Sequence, residues 1–317
     1  MRPPEQGELV LGGQAVIEGV MMKGPLLYSV AVRKANGEIR VRDFPLPESP
    51  ARKRIAKVPL VRGVVTMGVM LAIGYRALQY SADEAMEDAS AADRPADGRV
   101  ESEPGGGGLA MAGAMALALV LAVGLFFLLP LYATHALSGV FPALSGSLSF
   151  NLADGAIRVA IFVLYVAGIA RMKDIRRIFQ YHGAEHKVIN AYEGKAALTP
   201  ESVGSYPRLH PRCGTSFLLF VMVISILVFS LIPRDSSLLA KALLRIPLIP
   251  AIAGISYEVL RLSARRMGSP LFRILVAPGL WLQRLTTREP DRSQIEVAIE
   301  SFRRVSVSPG KEAALVG

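Results

Sequence analysis

Residues 109–133 read LAMAGAMALALVLAVGLFFLLPLYA, a run without one charged side chain. A helix over it exceeds the roughly 30 Å of a bilayer's hydrocarbon core. A helix apolar on every side belongs in lipid or deep inside a large protein. Working outward, three later windows share its character: about Gly155–Ala170, Phe217–Ile232 and about Leu243–Leu260. Arg158 stands near one end of the first of these, where it can snorkel; Arg245 and Glu258 flank the last. Upstream, Gly63–Tyr75 is apolar between Arg62 and Arg76 but covers only about 20 Å, too short for a span. It reads as an interfacial or re-entrant helix. The expected fold is mainly α, a polytopic membrane helical bundle of about four spans.

Composition agrees. The chain has 317 residues, 51% of them hydrophobic and 20% charged, with a mean hydropathy of +0.38. That argues against an ordinary soluble enzyme, in which about 25% of residues are charged. Thirty-six Lys and Arg against 26 Asp and Glu give a net charge of +10. In a membrane protein such an excess meets cytoplasmic loops and anionic lipid headgroups rather than nucleic acid. One cysteine excludes an intrachain disulfide. The 134–154 connection holds no Lys or Arg, whereas 171–212 holds eight, and the tail is rich in Arg. The positive-inside rule then places 171–212 and both termini in the cytoplasm of a multi-pass cell-membrane protein.

The remaining segments organise around this bundle. Tyr28–Val32 and Ile39–Phe44 alternate around Asn36-Gly37, a hairpin signal. A cytoplasmic N-terminal segment over 1–58 thus contains a small β-hairpin, and its basic cluster Arg52, Lys53, Arg54 and Lys57 leads into an interfacial or re-entrant helix at 59–88. Residues 89–108 (SAADRPADGRVESEPGGGG after Ala89) read as a flexible acidic linker. The four-span domain occupies 109–262, with a loop at 171–214, and 263–317 is a cytoplasmic amphipathic tail. Arg171–Glu193 looks helical, continuing the second span, with Gly194 as its stop.

Chemistry concentrates at Tyr181-His182-Gly183-Ala184-Glu185-His186-Lys187. His182 and His186 stand at i and i+4 and can grip one ion, with Glu185 between them. The pattern is H-x-x-E-H, the inverted zincin motif. In that chemistry a metal acidifies water and the glutamate takes its proton. The third ligand is open between His210, Cys213 and Glu258. His210 and Cys213 lie in a turn just before the third span; both binding would close the site as His3Cys, one binding would leave a position for water. Glu258 is an acidic residue inside an apolar stretch. Glu193 shares the histidine face about 10 Å further along, suited to facing substrate. Lys187 or Arg212 would stabilise developing negative charge. Glu18, among four glycines and a proline in Gly12–Pro25, is a further site candidate. Each has a structural alternative: solvated helix end, headgroup contact or buried packing. Four histidines are too few for a membrane desaturase, no Glu-x-x-His occurs for a di-iron bundle, and Gly105–Gly108 lacks the Lys-Ser/Thr of a phosphate loop.

Taken together, GGQAVIEGVMMKGP, YHGAEHKVINAYE, HPRCGTSF, SYEVLR and PGLWLQRLTTREPD resemble the YqhQ-like family of bacterial and plastid membrane proteins. The similarity runs from about Leu11 to Ile299. It implies a predicted metal-dependent enzyme without an assigned substrate, and carries His182, Glu185, His186, His210 and Cys213 as motif residues, with Glu18 and Glu258 more loosely. The expected function is a zinc hydrolase at the cytoplasmic membrane surface, acting on a peptide, ester or lipid-like substrate. The alternative is a scaffold or transport-related protein with a closed structural metal site.

Overall fold

The computed structural model describes residues 12–46, 54–55, 58–92, 107–211, 213–232, 237–265 and 269–306. Four strands, β1 (Gly12–Val16), β2 (Gly19–Lys23), β3 (Leu27–Arg33) and β4 (Ile39–Pro45), form an antiparallel meander in sequence order. The β3–β4 hairpin is the one signalled by Asn36-Gly37: Gly37 takes φ +88° and Asn36 Oδ1 accepts from the Glu38 N–H at 2.9 Å. The β1–β2 hairpin falls in the glycine-rich Gly12–Pro25 stretch, where alternation gave no strand signal. The reason is burial on both faces. Val20, Met21 and Met22 are all fully buried, so the strand reads as a continuous apolar run.

Three layers result. On one face Val20, Met22 and Ala31 pack against α5 (Lys173–Glu193) and α11 (Arg292–Ser306), through Tyr181, Ala184 and Phe302 among others. On the other, Met21, Tyr28 and Val30 meet Ile73, Ala77 and Tyr80 of α1 (Val61–Ala92). The buried Lys34 ammonium locks that contact, pairing with Glu84, Glu87 and Asp88 at 2.9–3.0 Å. The two lower-layer carboxylates Glu87 and Asp88 are held below their usual range by hydrogen bonds from Lys34. The last helix, within the region expected to be amphipathic, buries its apolar face, including Ile295, Ala298 and Phe302, in this core.

The apolar helices are α2 (Gly107–Val123), continued through a π turn (Gly124–Leu128) into α3 (Leu129–Val140); α4 (Ser147–Ile169); α7 (Gly214–Phe229); α8 (Leu238–Arg245); α9 (Ile249–Arg265); and α10 (Pro270–Thr286). The five-residue α6 (Pro200–Gly204) lies between α5 and α7. The π turn precedes Pro130, which donates no backbone hydrogen bond, a usual place for the helical ladder to loosen. Three helical stretches are long and apolar enough to cross a membrane: Val61–Ala91, Ala116–Val140 and Ser147–Ile169. Exposed side chains such as Leu119, Val120 and Leu164 suit a lipid-facing surface.

Several expected boundaries move. Gly63–Tyr75 is the start of one 32-residue helix, not a short separate one, and that helix runs to Ala92, into the expected linker; residues 93–106 lie outside the described part. The expected fourth span Leu243–Leu260 is broken: α8 ends at Arg245 and α9 begins at Ile249. α7, at 16 residues, is short for a span. α5 does not continue α4, because Ala170–Met172 turn the chain between them. Arg158 does not snorkel. Because α4 starts at Ser147, Arg158 stands at its middle, buried beside Asp154.

Candidate metal centre

α5 is buried on nearly all sides from Tyr181 to Ala191. Tyr181, Ala184, Val188 and Ala191 face the sheet and α11. At 100° per residue His182 and His186 then point roughly the opposite way, toward residues 207–213 and the end of α10. Their rings meet edge to face at 4.4 Å between centroids.

Each ring is oriented by a backbone carbonyl. His182 Nδ1 lies 2.8 Å from the Thr286 carbonyl and His186 Nδ1 lies 2.7 Å from that of Arg208. A carbonyl only accepts, so each Nδ1 carries the proton and each Nε2 keeps its lone pair. The carbonyls are themselves fixed. The Asn190 amide donates to the Pro207 and Leu209 carbonyls, the Arg208 guanidinium donates to the Thr287 carbonyl, and Gln283 holds the His210 backbone at both its N–H and its C=O. Such support for ligand histidines is the usual companion of a metal site.

Both lone pairs face Cys213. His182 Nε2 is 3.2 Å from its sulfur, and the ligand atoms of His182, His186 and Cys213 all lie within 4.8 Å of one another. A tetrahedral zinc with ordinary Zn–N and Zn–S lengths needs donors about 3.3–3.6 Å apart, so the triangle fits after a small contraction. Cys213 is the N-cap of α7, and its sulfur accepts from the Thr215 N–H at 3.4 Å and its hydroxyl at 3.3 Å. These contacts fix the sulfur's position at the start of α7. The donor set, two imidazoles and one sulfur, is of the kind that could hold zinc.

Glu185 closes the arrangement. Its Oε2 is 3.9 Å from His182 Nε2 and 3.8 Å from His186 Nε2. Burial pushes its carboxyl above the usual carboxylate range, opposed by the imidazoles of His182 and His210 and by a hydrogen bond from the Gly13 backbone. Burial also pushes His186 below the usual imidazole range, which keeps it neutral. β1 comes this close because Gly13 has no side chain: a Cβ there would stand 3.0 Å from Glu185 Cγ.

The other candidates go elsewhere. His210 is buried, its ring 5.8 Å from that of His186 and its Nε2 3.5 Å from Glu193; burial pushes its pKa down to about 4. Glu193 therefore meets a histidine, though not one of the triangle. The Glu258 carboxylate takes both arms of Arg62 and the Leu60 N–H, tying α9 to the start of α1. Lys187 is buried between the Gly204 carbonyl at 2.8 Å and Glu289 at 2.5 Å, a clamp on α5 rather than a member of the cluster. Glu18 sits in the β1–β2 turn at φ +51°, pairing with Arg177 and accepting from the Tyr181 hydroxyl. Arg212 lies outside the described residues. The roles of Thr286, Arg208 and Gln283 are not readable from residue type, because the first two orient the imidazoles through backbone carbonyls and the third through a side-chain amide.

Gly183, inside the motif, is where the chain after α10 comes closest. A Cβ there would stand 2.1 Å from the Arg288 carbonyl, whose own N–H bonds the Phe179 carbonyl. Gly183→Ala is expected to cost about 1–3 kcal/mol through overpacking. If the triangle holds a metal ion, the same variant should weaken its binding about 10–100-fold, because it shifts the nearby Thr286 carbonyl off His182. Thermal melting and competition with a chelator measure the two effects.

Comparison with known proteins follows from these residues. A family model described as "Protein of unknown function (DUF1385)" matches residues 58–308. The "Uncharacterized protein YqhQ" of Bacillus subtilis (strain 168) is 36% identical over 302 residues, covering 93% of this chain and 91% of that protein. No solved structure matches. The match spans the apolar helices and every residue of the histidine–cysteine triangle: the chain belongs to the DUF1385 family.

Proposed function

We propose that the protein is a membrane-embedded, zinc-dependent hydrolase whose site opens at the cytoplasmic membrane surface. The observation that carries this reading is the convergence of two imidazole lone pairs and one sulfur with a buried carboxylate less than 4 Å from both nitrogens. His182, His186 and Cys213 would hold the ion, leaving a fourth position open, as catalytic zinc sites do. Zinc bound there would supply a Lewis acid that acidifies water. The Thr286 and Arg208 carbonyls hold the two rings in the metal-ready tautomer. Glu185 Oε2 accepts a proton from water and returns it to the leaving group, and burial keeps its affinity for that proton high enough for both steps. Cleavage of an ester, amide or phosphodiester in an amphiphile that enters from the bilayer suits a site where the apolar helix α7 begins. Loop charge puts that face, and both termini, in the cytoplasm.

Metal analysis of the full-length protein in detergent tests the reading. About one zinc per chain is expected, with His186→Ala and Cys213→Ala each losing most of it. Cobalt substitution should show a sulfur-to-metal charge-transfer band that disappears in Cys213→Ala. Wild-type protein holding no more metal than a His182→Ala, His186→Ala double variant would overturn the proposal. A coordinatively saturated cobalt spectrum requiring His210 would instead favour the closed structural site of a scaffold.

A further inference from the structure

A second feature lies on the same face. Ala170, the last turn of α4, together with Arg171, Arg176 and Arg288, lines a cavity of about 330 Å³. Arginines usually splay into solvent or pair with acids. Here three from separate places in the chain converge: the link after α4, the first turns of α5 and the strand-like segment after α10. Among the described residues no ion pair engages any of the three guanidinium groups, and the Arg288 Nε is buried without a hydrogen-bond partner. A concave site of like charges with an unused buried donor suits an anion.

Position says which kind. Ala170 directly follows an apolar helix long enough to span a bilayer, so the cavity opens where hydrocarbon gives way to headgroups. α5 starts beside it, and its N-cap, Met172, contributes no side-chain bond to the first backbone N–H groups. Planar guanidinium forks and free helix N–H groups both favour the tetrahedral oxyanion of a phosphate. We propose that Arg171, Arg176 and Arg288 form a binding site for the phosphate of an anionic lipid headgroup. The site stands whether or not zinc binds nearby. It also touches the metal centre through the backbone, because the Arg288 carbonyl lies against Gly183 and Thr286 orients His182. Joined to the hydrolase reading, on which this last step rests, it makes the substrate an anionic amphiphile anchored by its phosphate beside His182.

The test uses the full-length protein in nanodiscs of phosphatidylcholine with a minor fraction of phosphatidylglycerol, with protein-bound lipid quantified by mass spectrometry. Wild type is expected to enrich phosphatidylglycerol about tenfold or more. The Arg171→Gln, Arg176→Gln, Arg288→Gln variant should lose that enrichment while keeping its zinc content. Arg176→Gln alone, on an exposed side chain, should lose part of it and serves should the triple variant not fold. A parallel arm compares inorganic phosphate with chloride at equal ionic strength. Stabilisation by phosphate that the variants lack, without lipid enrichment, would keep the phosphate site and assign it to a free ligand. No preference for either probe in wild type, or wild-type preference in the folded variants, would overturn the site. Zinc content reports on the metal reading separately, so the two can fail independently.

Discussion

On the proposed hydrolase reading, Glu185→Gln is expected to keep the wild-type zinc content and lose about 10²–10⁴-fold in turnover of an amphiphilic ester, amide or phosphodiester. The side chains are nearly isosteric, and Gln can still accept the Gly13 N–H, so β1 should stay docked. What disappears is a carboxylate able to take a proton within reach of both imidazoles. The pH profile carries a second expectation. Burial raises the Glu185 carboxyl, and the base works only when deprotonated, so wild-type rate should rise with pH along an acid limb set by this group. In Glu185→Gln that limb should be absent. Loss of zinc from Glu185→Gln would give a different answer: the carboxylate would then be the fourth ligand, and the base would have to be sought elsewhere.

How much of this was legible beforehand depends on the kind of signal. The Gly37 turn and the shared helix face of His182 and His186 are local features, and the structure shows both. Cys213 entered as one of three possible third ligands. Periodicity does not rank it above Glu258, since the sequence places both near the expected cytoplasmic ends of apolar segments. The structure separates them by what each already touches: Cys213 meets two lone pairs, whereas Glu258 is taken by Arg62. The β1–β2 hairpin was hidden by burial on both faces, which erases alternation. Only its glycines hinted that backbone would approach something, and Gly13 approaches Glu185. The helix expected over 59–88 runs from Val61 to Ala92. Its first turns are apolar and its later turns carry Glu84 and Asp88, so hydropathy singles out only Gly63–Tyr75. Its partners explain the change: Tyr257 of α9 near Gly63, then the sheet from Ile73 onward.

Arg158 and Arg245 lead to the other large expected effect. Each was read from sequence as a charge at the edge of a span, and neither is. Asp154 Oδ2 accepts from Arg158 at 2.7 Å and lies 3.3 Å from Arg245, while Ser225 and Asn151 take further guanidinium protons. The Phe229 ring lies beneath both cations, at 5.3 and 4.7 Å. Arg158 is eleven residues from either end of α4, about 16 Å along the axis, which is mid-bilayer depth for a helix that spans. One carboxylate therefore serves two buried guanidinium groups and joins α4, α7 and α8. Asp154→Asn keeps the shape and removes the charge, and is expected to cost about 3–5 kcal/mol, because it leaves two cations without an anion in a low-dielectric interior. Melting in detergent should fall accordingly, whereas the zinc content of the surviving folded fraction should not. Replacing Asp154, Arg158 and Arg245 together by leucine and methionine of similar volume should restore most of the loss, since apolar substitutes for a complete buried ion cluster are often neutral or better. An unchanged melting temperature in Asp154→Asn would mean that water reaches this cluster, and the depth assigned to α4 would have to be redrawn.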